Sequence, residues 1–202
     1  MSLLNTSGAA VVIVLAMFST TSKSAGQNPV ARIGANGNAF AFATTETEKL
    51  WLTAKHVADR TAKAAGNIEG VIIADGNKVL HGTFEAEGGG DDWSAWTTTG
   101  SDARIFYASM QKPAAMVAVR GEVKVVPVDR QFDRLIAFSP APLSGDSGCA
   151  LVDADGNVVG VVIGSTKEKT PVGLAVPIGV VVDGLKASGT IQTVDEVPFE
   201  LR

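Results

Sequence analysis

The chain has 202 residues, 46% of them hydrophobic and 19% charged, with a formal net charge of −4. That length and composition fill one domain or two small half-domains sharing an interface, and an acidic balance without a basic patch excludes ordinary nucleic-acid binding. The single cysteine, Cys149, rules out an intramolecular disulfide, so a disulfide-stapled secreted scaffold is excluded although export without disulfides is not.

Residues 1–27 are read as an apolar segment and linker. The run 9–18, Ala-Ala-Val-Val-Ile-Val-Leu-Ala-Met-Phe, is too short for a membrane span and has the length of a signal-peptide core, but no Lys or Arg precedes it. If residues 1–26 act as a signal or anchor, the protein is exported or membrane-tethered. Otherwise it is intracellular, and the run is a buried element or a leftover of a polyprotein. Membrane contact is expected only through residues 9–18.

From residue 28 onward the pattern is one of short apolar segments and turns, in keeping with 22 glycines and few long helical patterns. Val30–Ile33, Ala39–Ala43 and Leu50–Thr53 read as strands, the second carrying Phe40 and Phe42 on one face. Ala54–Ala65 reads as a short helical turn bearing His56. Val71–Ala74 and Val79–Phe84 flank Asp75-Gly76, a hairpin-turn dipeptide. Glu87–Gly90 is a loop, followed by Asp91-Asp92-Trp93-Ser94-Ala95-Trp96, and residues 97–113 read as a crossover with some order around Ile105–Tyr107. A second group follows: Ala115–Arg120, Val123–Val128, Leu135–Phe138, Ala150–Val152, Val158–Ile163 and Val172–Val176. Ile178–Lys186 is a late helix that Gly184 weakens. The expected fold is all-β: two six-stranded antiparallel Greek-key barrels, at 28–110 and 111–190, with a short C-terminal helix and a tail at 191–202.

Leu143–Val152 carries the chemistry. Its Gly145-Asp146-Ser147-Gly148 puts a serine between glycines, which let the backbone bend and bring N–H groups close to a reacting carbonyl. A serine hydroxyl is a weak nucleophile that needs a base. His56 ends an apolar strand at a small-residue turn, and Asp92 opens an apolar segment, with Asp91 as the alternative acid. The order His56, Asp92, Ser147 is the chymotrypsin order and not that of subtilisin or the α/β-hydrolases. His56 and Asp92 fall in the first strand group and Ser147 in the second, so the three would meet in the cleft between barrels.

Thr53-Ala54-Lys55-His56, Asp92 and Gly145-Asp146-Ser147-Gly148 together resemble the trypsin/chymotrypsin-fold serine proteases. The resemblance covers about residues 28–188 and is closest to compact, disulfide-free members, namely bacterial HtrA-type proteases and main proteases of some positive-strand RNA viruses. Gly37–Phe40 resembles the glycine-rich lead-in to the strand before the histidine hairpin. Gly160–Ser165 and Val172–Pro177 resemble the two strands that wall the specificity pocket. The resemblance implies a serine endopeptidase with His56 as base, Asp92 as its orienting acid and Ser147 as nucleophile. It further implies an oxyanion hole from the N–H groups of Gly145 and Ser147. Ala141 would sit near the pocket base, where trypsin-like members carry aspartate, and Val162 where some viral relatives carry a histidine that recognises glutamate or glutamine. Neither selectivity is therefore expected; a small or medium apolar residue is. Ile163, Gly164 and Ser165 would pair with substrate backbone as an added strand.

Departures from the pattern carry expectations too. Arg32-Ile33-Gly34 lies too close to His56 for a trypsin-like activation site, so Asp146 is not expected to depend on a new N-terminus. Only 14 residues follow Ser188, so no appended peptide-binding domain is expected. Cys149 reads as a buried small hydrophobe, His81 as a structural or surface residue, and Trp93 and Trp96 as core or interface aromatics. Two histidines and one cysteine supply no zinc site, and no Gly-Lys-Ser/Thr follows Gly88–Gly90, so no metal, nucleotide or other cofactor is expected. The expected partner is a polypeptide substrate. The competing reading is a catalytically silent chymotrypsin-fold module that binds peptides or partners, and a third is a viral protease that matures its own polyprotein.

Overall fold

The computed structural model describes residues 30–33, 37–44, 47–64, 70–75, 78–101, 105–116, 121–127 and 132–191, with the backbone alone for 62–64, 70–75 and 78–79. The apolar run 9–18, the linker up to Pro29 and the tail beyond Ile191 lie outside these residues.

Six strands form the first sheet: β1 (Val30–Ile33), β2 (Gly37–Thr44), β3 (Glu48–Thr53), β4 (Gly70–Asp75), β5 (Lys78–Glu87) and β6 (Ser94–Thr99). They close into an antiparallel barrel in the order β1-β2-β3-β6-β5-β4. Helix α1 (Lys55–Ala64) leaves the end of β3. Strand β6 replaces what the sequence suggested was the start of a crossover. Thr97, Thr98 and Thr99 lack an apolar alternation, but threonine is β-branched and suits a strand. Their buried hydroxyls are satisfied: Thr97 Oγ1 donates to Glu85 Oε1 at 2.6 Å and Thr98 Oγ1 accepts from the Trp51 indole at 2.8 Å.

The second sheet comprises β7 (Ala115–Met116), β8 (Gly121–Glu122), β9 (Lys124–Val125), β10 (Ile136–Ser139), β11 (Ala150–Val152), β12 (Val158–Ser165) and β13 (Gly173–Pro177). Its order is β8-β7-β11-β12-β13-β10-β9. The two outermost strands, β8 and β9, are separated by Val123 alone, so one interrupted strand closes this sheet on itself. Counted that way the second barrel also has six strands, and the two-barrel all-β architecture expected from the sequence is the one observed. Helix α2 (Ile178–Ala187) follows β13.

Side-chain alternation sorts the core into three clusters. Ala39, Ala41, Trp51 and Trp96 fill the first barrel. Met116, Phe138, Cys149, Leu151, Val159 and Val162 fill the second. The opposite faces of the same strands, with Phe40, Phe42, Leu50 and Leu52 from one barrel and Ala150, Val152, Val158 and Val161 from the other, join Trp93, Phe106 and α2 in a cluster between them. Strand β2 is thus buried on both faces, small residues inward and phenylalanines outward. The crossover is strapped to both barrels: Phe106 N–H donates to Ala41 O, and Val158 N–H to Tyr107 O.

Helix α2 buries Ile178, Val181 and Leu185. Gly184, which weakens the helix in isolation, lies against the Trp93 ring so closely that a Cβ there would collide with Cζ2. Alanine would favour the helix by about 1 kcal/mol, but forcing a methyl into a filled site costs about 1–3 kcal/mol. Gly184→Ala is therefore expected to lower the melting temperature by a few degrees in thermal unfolding; a raised value would contradict this packing.

Candidate active site

His56 is set by the strand-to-helix corner at the end of β3. Thr53 closes the strand, its hydroxyl donating to Asn38 O at 2.7 Å, and Ala54 O accepts the N–H groups of Val57 and Ala58 to start α1. His56 thus sits in the first helical turn with its side chain 30% exposed.

Asp92 lies in the loop between β5 and β6. Gly88 N–H donates to Trp93 O and Trp93 N–H to Asp91 O, which folds the loop tightly. A Cβ at Gly88 would strike Asp91 O and the Trp93 ring, so the loop closes around Trp93, which is itself 1% exposed. The Asp92 carboxylate grips His56 twice: Oδ2 pairs with ring Nδ1 at 2.6 Å and Oδ1 accepts the backbone N–H at 2.9 Å. Partial burial works against ionisation, but the bonds from the His56 ring and backbone and from the Lys55 N–H outweigh it and hold the Asp92 carboxyl below its usual range. Asp91 faces Arg134 instead, at 3.3 Å. The acid that meets the histidine is Asp92.

Ser147 occupies the turn between β10 and β11. The turn is knotted at its start, where Leu143 N–H donates to Asp146 Oδ2 at 2.7 Å and Asp146 N–H to Leu143 O at 3.1 Å. Asp146 is buried, with one carboxylate oxygen, Oδ2, held by its own loop. Gly145 and Gly148 have φ of 95° and 83°, the left-handed region that glycine enters without strain. At Gly148 a side chain is also excluded sterically, since a Cβ would collide with Asn38 O. The serine loop therefore rests on β2 and on Thr53, three residues before His56.

The Ser147 hydroxyl donates to Ile163 O at 3.4 Å. Among the described residues it has no hydrogen bond to the His56 ring. Serine hydroxyls move between staggered rotamers, and catalytic hydrogen bonds without substrate are commonly long. Gly145 and Ser147 N–H have no acceptor among the described residues; the N–H groups of Asp146, Gly148 and Cys149 do.

The remaining sequence candidates fall in several places. Val162 pairs with Cys149 and Gly148 through its backbone. Beyond it the register shifts, Val162 opposing Ala175 and Gly164 opposing Leu174, so Ile163 is an extra residue whose carbonyl turns toward Ser147. On the edge away from β13, no described strand pairs with Ile163–Ser165. Ala141 is half-buried in the loop after β10. The Val162 side chain is fully buried in the second barrel. Burial beside Asp146 pushes the Cys149 thiol up to about 12, so it is no thiolate at neutral pH. His81 is exposed on β5, opposite Ile72. The sequence reading missed Asn38, a buried amide that touches the serine loop; the signal available was a lone polar residue in the apolar lead-in Gly-Asn-Ala-Phe.

No protein-family model matches the chain, and no curated protein matches its sequence. Solved structures do match. The active form of the Rv3671c protease from M. tuberculosis superposes with a TM-score of 0.57 at 19% identity, over 90% of this chain and 96% of that one. A serine endoprotease from Yersinia pestis gives 0.62 at 15% identity over 80% of this chain, and the HtrA-type protease AlgW with a decapeptide 0.56 at 15% over 75%. The chain has the trypsin/chymotrypsin fold. It spans 63% of the Yersinia structure and 51% of AlgW. The likeness to HtrA-type proteases seen in the sequence is matched by these structures; the likeness to RNA-virus proteases has no support among them.

Proposed function

We propose that the protein is a serine endopeptidase. The observation that carries this reading is the double grip of Asp92 on His56. A carboxylate at Nδ1 keeps the ring proton there, which leaves the Nε2 lone pair as the base. His56 Nε2 takes the proton from Ser147 Oγ as Oγ bonds to the scissile carbonyl carbon. The oxyanion is received by Gly145 and Ser147 N–H, which have no competing acceptor among the described residues. His56 then protonates the leaving amine, the C–N bond breaks, and water releases the acyl group by the same steps in reverse.

The substrate is a polypeptide, consistent with a peptide-bound relative of the same fold. It would add as a strand to the edge of Ile163–Ser165 with which no described strand pairs, so binding rests chiefly on main-chain hydrogen bonds. Ala141 places no charge at the pocket base, and burial of Val162 keeps it from acting as a selective contact. Small or medium apolar residues are therefore preferred before the cut bond. Leu143 N–H already holds Asp146 Oδ2 within the serine loop, which supports activity without a newly made N-terminus.

Digestion of an unbiased peptide library, with cleavage sites read by mass spectrometry, tests this reading. Internal bonds after small apolar residues should be cut by wild type and spared by Ser147→Ala. A dominant Arg, Lys or Glu preference would overturn the pocket assignment. Cleavage that persists in Ser147→Ala would overturn the assignment of the nucleophile.

A further inference from the structure

We propose that Asn38 is a positioning residue for the nucleophile loop, reaching across from the first barrel to fix the two peptide planes that flank Ser147 N–H, the first of which directly follows the plane of Gly145 N–H. The inference rests on Ser147 being the nucleophile. Asn38 is 3% exposed, and such a buried amide is retained only if it is hydrogen-bonded. Its bonds all lead to the loop or brace it. Side-chain Nδ2 donates to Gly145 O at 2.7 Å, and backbone N–H donates to Ser147 O at 2.9 Å. Arg32 Nη1 donates to Asn38 Oδ1 at 3.1 Å, and Thr53 Oγ1 to Asn38 O at 2.7 Å. The amide orientation is unambiguous, because a guanidinium can only donate and a carbonyl can only accept.

The pattern along the loop gives these bonds their meaning. The peptide joining Gly145 to Asp146 is held at both ends: its carbonyl by Asn38 Nδ2, its N–H by Leu143 O. The peptide joining Ser147 to Gly148 is also held at both ends: its carbonyl by Asn38 N–H, its N–H by Val162 O. The one peptide between them, joining Asp146 to Ser147, presents Ser147 N–H, and the peptide just before the first, joining Ser144 to Gly145, presents Gly145 N–H. One residue thus locks two alternate planes, with Ser147 N–H on the plane between them and Gly145 N–H on the plane directly before the first. Donors aimed before the reaction need no reorganisation when charge develops, and that is the source of their catalytic value. Asn38 touches no reacting atom and acts only through the loop.

The test compares wild type with Asn38→Asp, Asn38→Ala and Arg32→Met. Asn38→Asp keeps the shape and the backbone bond but replaces the Nδ2 donor with an acceptor facing Gly145 O. It should lower kcat by about 10–100-fold, less than outright loss of an oxyanion donor, while KM changes by no more than about threefold, as expected for a group acting only in the transition state. Affinity for a peptide boronate, which mimics the tetrahedral state, should fall in step with kcat/KM. A merely structural role would lower the melting temperature without this split. Asn38→Asp that folds with wild-type kcat and boronate affinity overturns the inference. Asn38→Ala repeats the test without an added charge. If neither folds, Arg32→Met on the exposed side of β1 decides: a few-fold lower kcat supports the brace, and an unchanged value overturns it. Absence of Ser147-dependent activity in wild type would instead remove the peptidase reading, and this inference with it.

Discussion

His56→Ala should hydrolyse peptides about 10⁶-fold more slowly than wild type, with KM changed only a few-fold. The size follows from the absence of a substitute. Ser147 is inert without a base, and the other histidine, His81, stands exposed on β5 in the barrel wall. Cys149 cannot take over, since its thiol is buried and protonated. The fold should survive, because the His56 side chain is 30% exposed and its chief partner is the Asp92 carboxylate. Steady-state kinetics on a cleaved library peptide, beside thermal unfolding, checks both halves. A loss of only about tenfold in a folded variant would mean that His56 is not the base.

The second large effect separates two neighbouring acids. Asp92→Asn is expected to lower kcat by about 10⁴-fold, whereas Asp91→Asn should stay within about threefold. An amide at position 92 can donate to His56 Nδ1, which moves the ring proton to Nε2 and removes the lone pair that Ser147 needs. Asp91 contacts Arg134, a surface pair 3.3 Å apart with the arginine largely exposed, and such pairs contribute little. The same substitution has a signature in stability. The folded-state pKa of Asp92 is depressed, so its contribution is fully present above the unfolded value near 3.9 and is lost as pH falls through the lower folded value. Asp92→Asn should therefore show a flatter dependence of stability on pH below about 4 than wild type. Equal kinetic losses at both positions would contradict the geometry.

The three candidate residues could be picked from the sequence because each sits in a short local signature. His56 follows a strand and a small residue, Asp92 opens an apolar segment, and Ser147 lies between glycines. The two barrels were legible from period-two alternation and turn dipeptides. Strand β6 was not, since Thr97–Thr99 offers no apolar alternation and owes its place to partners on β3 and β5. Gly184 read as a defect in a helix; only the fold brings Trp93 against it. Asn38 was hidden for the same reason. Its partner Gly145 lies 107 residues away, and nothing local marks an asparagine as the brace of a distant loop. Local chemistry is written locally, whereas support across the barrels appears only after the chain has folded.

The most direct test of the central claim is covalent. Wild-type protein treated with a fluorophosphonate and digested for mass spectrometry should carry one adduct, on Ser147, formed quickly at neutral pH and slowed by orders of magnitude in His56→Ala. An unlabelled Ser147 in folded wild type, or labelling indifferent to His56, would contradict the account.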